Sequence, residues 1–276
     1  MESQFENSIQ TYIPKSLFGI VDVIVQFKSD EAQSFKVLPN GKIELQFILE
    51  GTEGFQNKVD ESHNRHSTFV DLFSATNLPH FPTFRKLNMI LVILSPIAAK
   101  LIFGIPANSI KNSRIVPDRL KNELNQIQDR LNSLNSFQEK AKFLEVLFLK
   151  KVQESPEAYM MNRLLQDIHV MQYAKQTWWK TTRLNLDHIN FSKSHFHRLC
   201  TDWLGMPYKT HLQLQQFRQA AFAIGDQKTL THVALEYNYY DQAHFNRKFQ
   251  QFANMNPNEY KNAIKVDHGE TLLLTN

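Results

Sequence analysis

The sequence predicts an α+β chain. It has a β-rich N-terminal domain, a helical linker, and a C-terminal all-α domain with two helix-turn-helix units joined by a long helix. Three observations carry this. Runs of β-branched and aromatic residues crowd the first 115 residues, apolar residues recur at steps of three and four from about Val116 onward, and a helix–turn–helix pattern near the C-terminus recurs at a shift of 49 residues. The expected domain spans are 1–115, 116–180 and 181–266. A chain of 276 residues, 42% of them hydrophobic, has material for about two cores.

In the first span, "GIVDVIVQF" (Gly19–Phe27) and "KIELQFIL" (Lys42–Leu49) read as strands. "LPNG" (Leu38–Gly41) separates them and supplies turn chemistry through Pro39, Asn40 and Gly41. "MILVIL" (Met89–Leu94) reads as a buried strand, ended by Pro96.

In the second span, Leu120, Leu124, Ile127, Leu131 and Leu134 form one amphipathic stripe. Phe143, Val146, Leu147 and Lys150 continue the spacing in a further helix, and Ser155 with Pro156 reads as the cap of another. These helices either pack on their own neighbours or offer a surface for pairing two copies of the chain.

The net charge is +4. Residues 181–266 hold ten Lys and Arg against six Asp and Glu, and six of the eleven histidines. A basic C-terminal third points to a polyanionic partner. The single cysteine, Cys200, excludes an intrachain disulfide and a multi-cysteine zinc site. The N-terminus lacks a signal-peptide layout, and the most apolar run, Met89–Ala99, is too short for a bilayer. A cytoplasmic protein with no membrane partner is therefore expected.

Chemistry-bearing motifs are sparse. There is no serine nucleophile elbow, no phosphate-cradling glycine loop and no clear carboxylate pair. His63, His66 and His80 lack the company and spacing of a metal site. The expectation is a protein that is not an enzyme, with no catalytic residues, no cofactor and no metal.

The repeated pattern is the informative part. In "TLTHVALEYNYYDQAHFNRKF", Thr229 caps a two-turn helix whose Leu230, Val233, Ala234 and Tyr237 share a face. Asn238 stands where the chain must turn, and Asp241 caps the next helix. There Phe245, Phe249 and Phe252 face inward, while Ala243, Asn246, Arg247 and Gln250 face outward. Such a second helix can lie in a DNA major groove, where arginine pairs with guanine and amides with adenine. At the shift of 49 residues, "FHRLCTDWLGM" (Phe196–Met206) lies over "FNRKFQQFANM" (Phe245–Met255). Ser192 takes the place of Asp241, and Ser194, His197, Arg198 and Thr201 face outward. "YKTHLQLQQFRQAAFAI" (Tyr208–Ile224) joins the units as one helix, with Leu212, Phe217, Ala220, Ala221 and Ile224 inward. Two recognition helices held roughly 34 Å apart would read adjacent major-groove segments.

"LTHVALEYNYYDQAHFNRKFQQFANMNPNEY", with Pro257 and Tyr260 at its end, resembles the C-terminal signature of AraC/XylS-type transcriptional regulators. The resemblance covers about Leu184–Tyr260. "VLPNGKIELQF" (Val37–Phe47) and "FGIPA" (Phe103–Ala107) are similar to a sensor-like domain that precedes this module in part of the family. The resemblance implies sequence-specific binding of double-stranded DNA and control of transcription, often activation, with RNA polymerase as a partner. It also implies an N-terminal domain that takes a small-molecule effector or forms a homodimer. Carried over by position, the base-facing residues are Ser194, His197 and Arg198 in the first unit and Gln242, Ala243, His244 and Arg247 in the second. Lys193, Asn246 and Lys248 are expected on phosphates.

The chain departs from the family pattern at Asn238 and Asn254, which replace glycines, and at Cys200, which replaces a phenylalanine. Asn185 stands where the first unit should have the counterpart of Ala234. A well-formed second unit and a first unit irregular at its start are expected. The alternative reading is a small-molecule-binding or protein-interaction protein whose module no longer reads DNA.

Overall fold

The structure is a computed structural model of the full chain. It describes residues 9–29, 33–55, 65–66, 69–73, 82–110, 116–158, 192–224, 228–262, 264–268 and 271–275. Asn185 and the leading helix of the first unit fall outside these, as do His63 and His80.

The N-terminal domain is an antiparallel sheet built around β7 (Pro82–Leu94). On one edge β7 pairs with β4 (Ile43–Phe55), placing Phe47 opposite Ile90. On the other it pairs with β2 (Val21–Ser29), placing Val25 opposite Leu91, and with the start of β3 (Gln33–Val37). β1 (Ile9–Tyr12) extends the sheet beyond β2, while β5 (Arg65–His66) and β6 (Phe69–Phe73) pair with β4. The three strands expected from sequence all lie here.

β7 is apolar in nearly every position of its second half because both of its faces are covered. Ile90, Val92 and Leu94 enter the main core. Met89 joins Phe27, Ile48 and Leu87 in a smaller cluster on the opposite face. Burying each such side chain contributes about 1.5–3 kcal/mol.

Three helices cover the main face: α1 (Ala98–Phe103), α2 (Asp118–Ser133) and α3 (Phe137–Glu154). Leu120, Leu124, Ile127 and Leu131 of α2 are buried in the sheet's core, and Gln128 Nε2 donates to the Ile48 carbonyl at 2.7 Å. The helices that sequence assigns to a linker thus complete the N-terminal core. The expected stripe on α3 is rotated. Ala141, Leu144, Phe148 and Val152 are the buried residues, whereas Val146 is 58% exposed and Lys150 is exposed. The buried face also takes in a polar residue. Glu145 points inward and accepts hydrogen bonds from Tyr12 Oη (2.6 Å), Ser16 Oγ (2.6 Å) and Lys142 Nζ (2.7 Å). These donors hold its carboxyl well below the usual range, at about 2. Ser155 is the C-cap of α3 and its Oγ accepts from Glu157 N at 3.3 Å, while the helix expected to follow lies outside the described residues beyond residue 158.

The C-terminal helices are α4 (Lys193–Leu204), α5 (Tyr208–Ala223), α6 (Leu230–Glu236), α7 (Gln242–Ala253) and α8 (Pro257–Asn262). Along α5 and its C-cap, Phe217, Ala220, Ala221 and Ile224 are buried as expected, whereas the fully buried leucine is Leu214 and Leu212 is only partly covered.

The two domains interlock. Trp203, at the end of α4, is 2% exposed and belongs to the N-terminal core. Lys100 of α1 sets its Nζ 5.0 Å from the Trp203 ring centroid. In return Leu38, from the β3–β4 turn, is 1% exposed within the C-terminal core beside Met206 and Leu214. Gly41 lies so close that a Cβ there would sit 3.0 Å from Leu214 Cδ2, and its φ of +69° already favours glycine. The chain's end adds a further tie. β8 (Ile264–His268) and β9 (Thr271–Thr275) form a hairpin, and β9 pairs with β3. Sequence reading stops the C-terminal domain at 266 and gives this hairpin no role, although "TLLLT" carries a strand-like composition.

Candidate nucleic-acid interface

The second unit is built from local signals. The Thr229 side chain accepts from His232 N at 3.2 Å and starts α6. Ala234, fully buried, lets α7 approach. The chain leaves α6 through Asn238 at φ 61°, and Asn254 ends α7 at φ 48°. Asparagine tolerates this left-handed conformation better than other residues with a side chain, so the two missing glycines are replaced without loss of the turns. The Asp241 carboxylate accepts from His244 N at 2.6 Å and starts α7.

An aromatic chain holds α7 in place. Phe217 of α5 meets Phe249 and Phe252 at centroid distances of 5.1 Å each. Tyr239 meets Phe245 at 5.0 Å, and Phe249 meets Tyr260 at 5.2 Å. Gln216 Nε2 donates to the Tyr237 carbonyl at 2.7 Å, tying α5 to the turn.

On the opposite face of α7, Ala243, Arg247 and Gln250 are exposed at successive turns. Gln242 is partly covered, and its Oε1 accepts from Thr231 Oγ1 at 2.6 Å, which braces α6 against α7. His244 is partly covered too. Its ring meets Tyr239 edge-on at 5.6 Å, and Nδ1 accepts from Tyr240 N at 3.4 Å. Asn246 is half-buried with Oδ1 shut off from solvent, and Lys248 Nζ donates to Gln251 Oε1 at 3.1 Å. Of the candidates on this helix, Ala243 and Arg247 have the freest access.

On α4 the Ser192 side chain accepts from His195 N at 3.2 Å. Ser194, His197 and Arg198 are exposed, and Arg198 Nη2 lies 3.0 Å from His195 Nδ1. Lys193 opens the helix; its side chain lies outside the described residues. Thr201 Oγ1 donates to the His197 carbonyl at 2.9 Å and is therefore engaged. Inward, Cys200 is buried, and burial pushes its thiol up to about 12, so it packs and does not react. Gly205 ends α4 at φ 74°, against Ala107 of the N-terminal domain.

Sequence reasoning placed the outward candidates but missed the braces, Thr231, Tyr239 and Gln216. Only the Thr231–Gln242 pairing had a readable signal, two polar residues flanking a short turn.

Among the described residues, no helix is long and apolar enough to cross a membrane. Residues 186–263 match a family model described as a helix-turn-helix domain. No curated protein matches the chain. Among solved structures, ToxT from Vibrio cholerae O395 bound to (E)-4-(8-methylnaphthalen-1-yl)but-3-enoic acid is 13% identical, with a TM-score of 0.42 over 92% of this chain and 98% of that one. ToxT from Vibrio cholerae O395 in a second structure is also 13% identical, with a TM-score of 0.39 over 92% and 97%. The AraC-like transcriptional activator CuxR is 14% identical, with a TM-score of 0.30 over 78% and 82%. These structural values are too low to carry a functional conclusion. The family-model match marks residues 186–263 as a helix-turn-helix domain, and the capped, aromatic-braced second unit lies within it.

Proposed function

We propose that the chain acts in the cytoplasm, placing α4 and α7 in two adjacent major-groove segments of one operator, and that it activates transcription from there by engaging RNA polymerase. Arg247 and Arg198 are the guanine readers in this reading, with Ala243, Ser194 and His197 beside them. Gln242 and His244 contribute through the edges their braces leave open, and Lys193, Asn246 and Lys248 reach phosphates. The observation that carries it is the two-faced build of α7: three phenylalanines locked in the core, and Ala243 and Arg247 exposed on the opposite side.

The N-terminal domain then takes a small-molecule effector or pairs two chains. For the first role the available place is an open groove of about 480 Å³. Lys100, Lys151 and Glu157 line it from the N-terminal side and Asp202 from α4, so an occupant would touch both domains.

The test is binding to duplexes selected from a random library, across a salt series. The wild type should bind its selected site at nanomolar levels, with affinity falling steeply as salt rises. Arg247→Ala should cost roughly 1–3 kcal/mol on that site and relax one base position. A wild type that selects no site would leave the alternative, a module that no longer reads DNA, and unchanged affinity and selectivity in that variant would overturn Arg247 as a base reader.

A further inference from the structure

The interlocked seam between the domains holds an ionisable ring. His211 lies on α5 one turn before Leu214, opposite the β3–β4 turn that delivers Leu38, Gly41 and Lys42. We propose that His211 makes this seam proton-sensitive: taking up a proton on its ring separates the DNA-binding module from the β-rich domain.

The geometry gives the reason. Neutral imidazole needs one N–H, whereas imidazolium carries an N–H on both ring nitrogens. Nδ1 of His211 is shut off from solvent and has no hydrogen-bond partner among the described residues. A bare nitrogen there leaves one acceptor unpaired, whereas an N–H there has nothing to donate to and comes with a charge on a ring only partly open to solvent. Among the described residues, the charged groups that act on the ring are both cationic: Lys42, just before β4, and Arg218 on α5 itself. The nearby carboxylate, Asp22 of β2, is committed to Lys42 Nζ at 2.8 Å.

Burial first, then Lys42 and Arg218, hold the docked imidazole down at about 4, against an ordinary 6.5. With the domains apart the ring regains water and its ordinary affinity for protons. The separated state therefore binds more protons between pH 6.5 and pH 4, and docking weakens as the pH falls through that window. At pH 5 the docking equilibrium shifts by about 30-fold relative to pH 7.5. The seam holds Trp203 and Gly205 at the end of α4, so its release frees the first recognition helix from the N-terminal domain. That consequence for operator binding rests on the function proposed above; the separation itself does not.

The test is hydrogen–deuterium exchange on the full chain without DNA, at pH 7.5, 6.0 and 5.0, corrected for intrinsic exchange rates. Protection of residues 38–42 and 203–214 should fall about 30-fold from pH 7.5 to 5.0, while residues 245–252 of α7 keep theirs. His211→Gln should remove that pH dependence. Lys42→Gln, which removes a cation facing the ring, should shrink the loss and stands in should His211→Gln fail to fold. Seam protection that ignores pH in the wild type overturns the proposal. So does His211→Gln losing protection as the wild type does, or Lys42→Gln losing as much or more. A failed DNA reading shows separately, as an unaltered Arg247→Ala at pH 7.5.

Discussion

Helix α7 is held by its own domain. Phe245, Phe249 and Phe252 stack into an aromatic chain that includes Phe217 and Tyr260, all within the C-terminal core. Among the described residues, helix α4 is held from outside. Its deepest side chain, Trp203, sits in the N-terminal core, and its closing residue, Gly205, lies against Ala107. Both helices start from a short polar cap and end in a left-handed residue. What differs is ownership of the anchor. A helix braced locally keeps its orientation whatever the rest of the chain does. One anchored across a domain seam takes its orientation from the seam.

The largest effects should come from removing the anchors. Phe249→Ala and Trp203→Ala should each cost about 3–5 kcal/mol in urea melts. Their footprints should differ. Exchange protection in the first variant should fall across α7 and α8, and in the second across α4, α1 and the Ala107 turn. Matching footprints would mean that the two units are anchored alike.

Gly41→Ala is the next way to separate the two. It places a Cβ against Leu214 at a φ that side chains resist, and should cost about 1–3 kcal/mol. The loss should be confined to the seam, with α7 unaffected.

Glu145→Gln probes the N-terminal side alone, and should cost about 1–3 kcal/mol at neutral pH. The Glu145 carboxyl sits at about 2 when folded, against an ordinary 4.5. Its contribution is therefore complete above pH 4.5 and is lost as the pH falls towards 2. Acid titration of the wild type should show that loss, and the variant should lack it.

The smallest contrast lies in the caps. Asp241→Ala and Ser192→Ala should each cost about 1 kcal/mol, and thermal melts should show the two losses to be similar. This would place the difference between the units in their anchors and not in their helix starts.

How much of this the sequence disclosed follows the same division. The second unit was legible because its signals are local: Thr229, Asn238 and Asp241 lie within thirteen residues and each acts on its immediate neighbours. The seam was not, because Leu38 and Leu214 are far apart in the chain and neither carries a mark of the other. Cutting the C-terminal helices free would uncover Trp203 and strip Met206 and Leu214 of the cover that the β3–β4 turn gives them. The stripe on α3 was misread for a related reason. Glu145 counts as outward by residue type, and only the partners Tyr12 and Ser16, more than a hundred residues away, explain its burial. At the candidate interface, the types facing outward were readable, but not that Gln242 and His244 are partly spent on bracing their own turn.

The measurement closest to the central claim is a base-by-base selectivity profile on the selected operator for the wild type, Arg198→Ala and Arg247→Ala. Each variant should lose preference at a different base position, the two roughly 10 base pairs apart, with a cost of roughly 1–3 kcal/mol each. Profiles that stay the same in both variants, or that change at one shared position, would contradict a pair of groove readers on successive turns of the duplex.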